Sequence, residues 1–122
     1  MPLCQYKNLN VHYTETGSGR ALVLLHGFLE NLSMWDNYVS ALSKRYRVVC
    51  IDLLGHGKSD CHGYVHTMED MAEGVKAVLR HLNLRRYLMI GHSMGGYVAL
   101  AYGDLYPDNL IGIGLFFSTP KD

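Results

Sequence analysis

Three short apolar runs in this chain end in glycine-bearing turns, and none shows the polar alternation of a half-exposed strand. Ala21-Leu22-Val23-Leu24-Leu25 is bounded by glycine on both sides. Tyr46-Arg47-Val48-Val49-Cys50-Ile51 runs into the glycine-rich stretch 52–59, and Tyr87-Leu88-Met89-Ile90 meets Gly91 directly. Runs of this kind suit strands covered on both faces, the condition of a parallel sheet. Segments with helical spacing lie between them. Trp35, Tyr38, Val39 and Leu42 fall on one face, and Ser33-Met34-Trp35-Asp36 reads as a capping box opening that helix. A second helix is expected from about Thr67, with Asp70 three residues on and a stripe of Met68, Met71, Val75, Val78, Leu79 and Leu82. A third follows Gly91 and runs to about Tyr106, where Pro107 stops it. A last strand is predicted over residues 110–117. Alternating strands and helices imply βαβ units, hence an α/β class with a mainly parallel sheet and helices on both faces. Residues 5–7 and 11–16 add an antiparallel hairpin at the N-terminus, closed off by Gly17-Ser18-Gly19.

Composition narrows the partners. The 122 residues carry eleven basic and eleven acidic side chains, a formal charge of zero. That argues against gripping nucleic acid or an anionic membrane by bulk attraction. The apolar runs fall far short of the roughly 20 residues of a membrane span. Residues 1–7 lack the basic-then-apolar pattern of a secretory signal. Cys4, Cys50 and Cys61 are an odd, widely spaced set without a CxxC pair. They fit free thiols in a reducing, cytoplasmic compartment better than a disulfide framework or a zinc site. No cofactor or metal is implied.

The sharpest chemical signal is Gly91-x-Ser93-x-Gly95 between a predicted strand and a predicted helix. A serine in a tight strand-to-helix turn projects its hydroxyl into a cleft, and small residues two before and two after relieve crowding there. The following helix aims N–H groups and its positive end at the same spot. His26-Gly27-Phe28, directly after the first buried strand, is the second signal. An oxyanion hole needs two convergent backbone donors. Met94, after the serine, offers one N–H, and Phe28 is the natural source of the other. Competing motifs fail. Gly57-Lys58-Ser59 ends like a phosphate loop, but the required first glycine is Asp52. Gly55-x-Gly57 meets Asp60 where a dinucleotide fingerprint wants glycine. His62 and His66 are spaced like zinc ligands, yet Gly63 replaces the glutamate of that motif.

His26-Gly27-Phe28, then Asp52-Leu53-Leu54-Gly55-His56-Gly57-Lys58-Ser59, then Gly91-His92-Ser93-Met94-Gly95-Gly96 resemble, in order and spacing, the α/β-hydrolase superfamily and its serine esterase and lipase-like members. The resemblance spans essentially all 122 residues and matches the family's N-terminal part, through its sixth strand. It implies a hydrolase acting on an ester or related acyl bond of a small molecule, through an acyl-enzyme at Ser93. Phe28 and Met94 would form the oxyanion hole. Gly91, Gly95, His26 and Gly27 would support the elbow and the oxyanion loop, and 52–59 would be a turn bracing that loop.

The family order is nucleophile, acid, histidine. None of the 29 residues after Ser93 is histidine. His26 and His56 stand near the expected cleft and read as structural polar groups. His92 should point away from the serine's cleft. Asp122 follows the last strand, where some members place the acid, but a terminal residue is poorly held. The expectation is therefore the N-terminal portion of a hydrolase domain, 1–122, without the lid and the acid and histidine segments. A second reading is a non-catalytic fragment that self-associates through the edge strand at 110–117.

Overall fold

The computed structural model describes residues 2–7, 9–27, 31–54 and 67–116. Six strands form one sheet: β1 (Leu3–Tyr6), β2 (Leu9–Thr16), β3 (Arg20–Leu25), β4 (Tyr46–Ile51), β5 (Tyr87–His92) and β6 (Leu110–Phe116). Their spatial order is β1-β2-β4-β3-β5-β6. β1 pairs antiparallel with β2, and β2 antiparallel with β4, while β4-β3-β5-β6 are parallel. The helices are α1 (Asp36–Leu42), α2 (Met68–His81) and α3 (Met94–Leu105). This is the α/β class expected, with the N-terminal hairpin extending the parallel sheet.

Side-chain alternation in the central strands divides the core in two. Val23 and Leu25 of β3, Val49 and Ile51 of β4 and Met89 of β5 face α2 and α3, packing with Val75, Val78, Leu79, Val98 and Tyr102. Leu22, Leu24, Val48 and Cys50 face the other way, onto Trp35 with Val39 and Leu42 of α1. Residues buried on alternate faces need apolar side chains at every position, which explains the unbroken apolar runs.

The α2 boundary follows its cap: Thr67 Oγ1 accepts the Asp70 N–H at 2.9 Å. The capping box expected at Ser33 is displaced. A 3-10 turn, Leu32–Trp35, precedes α1, and Asn31 caps it by accepting the Ser33 N–H at 2.9 Å. Ser33 lies inside this turn, so its own hydroxyl also bonds to Asn31. Pro107 opens a second 3-10 turn after α3. Phe117, expected in the last strand, lies outside the described residues. Among the described residues no helix is long and apolar enough to cross a membrane.

Candidate active site

β5 delivers its last residues into a turn whose backbone is unusual for a residue with a side chain. Ser93 has φ 54° and ψ −113° and forms the N-cap of α3. Such a conformation costs about 1–3 kcal/mol and persists only where surroundings impose it. Here the Ser93 N–H bonds to the Phe116 carbonyl of β6 at 3.0 Å, and the Ser93 carbonyl accepts the Gly96 N–H at 2.8 Å. The flanking glycines are required by close approach. A Cβ on Gly91 would lie 2.2 Å from the Gly95 carbonyl oxygen. One on Gly95 would lie 2.5 Å from the carbonyl oxygens of both Leu25 and His26. Position 95 thus presses directly on the end of β3.

Met94 is the first residue of α3, where N–H groups have no partner within the helix. The first turn carries no acidic side chain, so no carboxylate opposes negative charge gathering there. β3 and β5 are neighbours, with Leu25 in register with Gly91. The sheet therefore sets His26-Gly27 beside the serine turn. Phe28, the other expected oxyanion donor, lies outside the described residues, as do His56, His62, His66 and Asp122.

Three of the four described histidine rings, those of His26, His92 and His12, are engaged elsewhere. His26 is fully buried, and its Nε2 accepts the Leu53 N–H at 2.9 Å. The proton must then sit on Nδ1, which donates to the Gly27 carbonyl at 2.7 Å. Both ring nitrogens thus serve backbone groups. His92 is buried and stacks tilted on Phe116 at 5.2 Å, toward β6. His12 bonds through Nδ1 to Asp52 Oδ2 at 2.8 Å. β2 is separated from β5 by β4 and β3. Three strand spacings place His12 about 14 Å from the serine strand, beyond reach of its hydroxyl.

The His12–Asp52 pair has no local signal in the sequence. Its members are 40 positions apart and meet because β2 and β4 pair antiparallel. Asp52 Oδ1 also accepts the Leu32 N–H at 2.7 Å. On the α1 side, Trp35 lines an apolar cavity of about 410 Å³ with Leu24, Tyr38, Leu42, Ile90 and Phe116. Its Nε1 is buried without a partner. The described thiols, Cys4 and Cys50, are free and buried, and burial pushes the Cys50 thiol up to about 12, leaving it inert as a nucleophile. Among the described residues, no three His, Cys, Asp or Glu side chains are placed to hold a metal.

Residues 20–115 match the family profile of the alpha/beta hydrolase fold. A 2-hydroxy-6-oxononadienedioate/2-hydroxy-6-oxononatrienedioate hydrolase of Paraburkholderia phymatum is 40% identical over 108 residues, 84% of this chain. A pimeloyl-[acyl-carrier protein] methyl ester esterase of Nitrosomonas europaea is 36% identical over 112 residues, 91% of the chain. The solved structure of a thermophilic esterase from Thermogutta terrifontis superposes with a TM-score of 0.87 at 35% identity, covering 93% of the chain. The chain spans 38% and 42% of the lengths of those two relatives, and 43% of the solved esterase. Profile, relatives and superposition agree on the fold: the chain belongs to the α/β-hydrolase family.

Proposed function

We propose that this chain carries the nucleophile half of a serine hydrolase site for small ester-like acyl compounds. In the complete reaction, Ser93 Oγ bonds to the acyl carbon while its proton passes to an imidazole base. The base returns that proton to the departing alcohol, and water then releases the acid from the acyl-enzyme. The N–H groups of Met94 and Phe28 hold the oxyanion. The observation that carries this reading is the strained Ser93 backbone between two glycines at the head of α3. The base and its acid partner come from outside these 122 residues. Of the described histidines, His12, His26 and His92 are committed to other partners, and no histidine follows Ser93 in the sequence. A serine without a base is a feeble nucleophile near neutral pH, so the chain by itself turns over slowly.

The test is hydrolysis of a short p-nitrophenyl ester by the chain beside Ser93→Ala. Slow release that drops to the buffer rate in Ser93→Ala is expected. Rapid Ser93-dependent turnover would overturn the missing base, and equal release by both chains would overturn the nucleophile.

One observation favours a second reading, self-association. β6 ends the sheet among the described residues, and Ile111, Ile113, Leu115 and Phe116 on it are 37–45% exposed. An uncharged apolar edge invites pairing with its own copy. Light scattering should then give a mass above 13.7 kDa that rises with concentration. A monomer at all concentrations contradicts it.

A further inference from the structure

We propose that the cleft at the amino ends of β3 and β5 binds a phosphomonoester through Arg20 and Arg86. The formal charge of the chain is zero, yet the parallel strands sort that charge in space. Arg20 opens β3, Lys44 and Arg45 immediately precede β4, and Arg85 and Arg86 immediately precede β5. Arg20 is in register with Tyr46, and Ala21 with Tyr87, so these cations gather at one end of the sheet. Ser93 follows β5 at the opposite end, roughly 20 Å away along a strand of six residues. The cleft is therefore a second site, and it does not depend on the role of Ser93.

Arg20 and Arg86 line one cavity of about 580 Å³ with Gly19, Ala21 and Leu84. Among the described residues neither guanidinium is bonded to a carboxylate. Glu15 is taken by Arg47, and Asp108 leads into β6, on the far side of β5 from β3. The backbone on both sides of the cleft is held. A Cβ on Gly17 would lie 2.4 Å from the Tyr46 carbonyl oxygen, and one on Gly19 would lie 3.0 Å from that of Arg45. The turn before β3 is thus pressed onto the turn before β4. On the other side, Tyr87 is fully buried and Asn109 Nδ2 donates to the Arg85 carbonyl at 3.0 Å. Both arginines project from fixed chain.

The chemistry of the cleft selects its ligand. Two cations on one cavity repel each other, a repulsion that a dianion between them relieves. A phosphomonoester carries close to two negative charges at neutral pH, and its oxygens match the planar fork of a guanidinium. A carboxylate brings one charge and leaves one arginine unmatched. Ala21 and Leu84 add apolar wall for the organic group of the ester. The volume lies within the range of about 300–1,000 Å³ usual for small-molecule pockets.

The test is a chemical-shift titration of the 122-residue chain with phenyl phosphate, beside benzoate, which has the same ring and a single charge. Saturating shifts are expected at the amides of residues 19–21 and 84–87, with benzoate binding several-fold more weakly. Arg20→Gln and Arg86→Gln should each weaken phenyl phosphate by about fivefold to tenfold, because each removes a charge-assisted fork. Lys44→Gln removes a charge from the same end but does not line the cleft, and it should bind within about twofold of the parent. No saturating shift, or benzoate binding as tightly as phenyl phosphate, overturns the proposal. Equal loss in Lys44→Gln overturns it as well, since a diffuse field would then suffice. Vesicles of phosphatidylglycerol and of phosphatidylcholine separate a lipid headgroup from a free phosphate. Sedimentation with the anionic vesicles that is lost in Arg20→Gln and Arg86→Gln, together with the phenyl phosphate shifts, assigns the cleft to a headgroup. Vesicle binding without those shifts overturns the cleft.

Discussion

Ser93 occupies backbone that an ordinary side chain avoids, and its neighbours hold it there at positions 91, 95 and 116. A glycine at 93 would relieve the strain of about 1–3 kcal/mol, offset in part by the extra entropy of an unfolded glycine, about 0.5–1 kcal/mol. Ser93→Gly should therefore unfold at higher denaturant than Ser93→Ala, by about 1–2 kcal/mol in stability. Equilibrium urea unfolding of the two variants measures this, and equal midpoints would remove strain from the account. The local motif made this residue legible: two glycines around a serine, between an apolar run and a helical stripe. Asp52 was legible only as part of a turn, because its partners His12 and Leu32 lie 40 and 20 positions away. Pairings set by strand register leave no local periodicity to read.

At the scale of elements, the buried strands announced themselves most clearly. β4 spans the same residues as its apolar run, and β3 begins one residue earlier than its run, since both faces of these strands are covered. α2 begins after Thr67 because a threonine followed by Asp70 is a strong local cap. The start of α1 was misread because a 3-10 turn intervenes and moves the cap from Ser33 back to Asn31.

Burial of β4 also has a pH consequence. Cys50 is 1% exposed, and burial raises its thiol from an ordinary 9.0 to about 12. Between those values the unfolded chain has lost a proton that the folded chain retains, so the stability this thiol contributes is full below pH 9 and is lost as pH rises toward 12. The slope is about 1.4 kcal/mol per pH unit for one group. Urea unfolding from pH 8 to 11 should show that decline in the parent and a shallower one in Cys50→Ala. Identical slopes would contradict the burial of this thiol.

At the scale of the whole molecule, the parallel strands bring segments distant in sequence to one end of the sheet. β3 and β5 are adjacent, so residues 26–27 and 93–94 share the carboxyl end of the sheet, where open α/β folds place their ligands. The mainly parallel sheet and the two-sided core followed from the alternation of apolar runs and helical stripes, whereas the strand order did not. The β2–β4 pairing that inserts the hairpin strand next to β4 did not, because it depends on long-range register. All of this architecture converges on one hydroxyl, and its reactivity is the most direct test of the account. The measurement is the mass of the intact chain after exposure to a serine-reactive fluorophosphonate, followed by peptide mapping. One adduct per chain, accumulating slowly as expected of a serine without its base, on the peptide bearing Ser93 and absent from Ser93→Ala, is the predicted result. An unmodified chain, or an adduct that persists in Ser93→Ala, would contradict it.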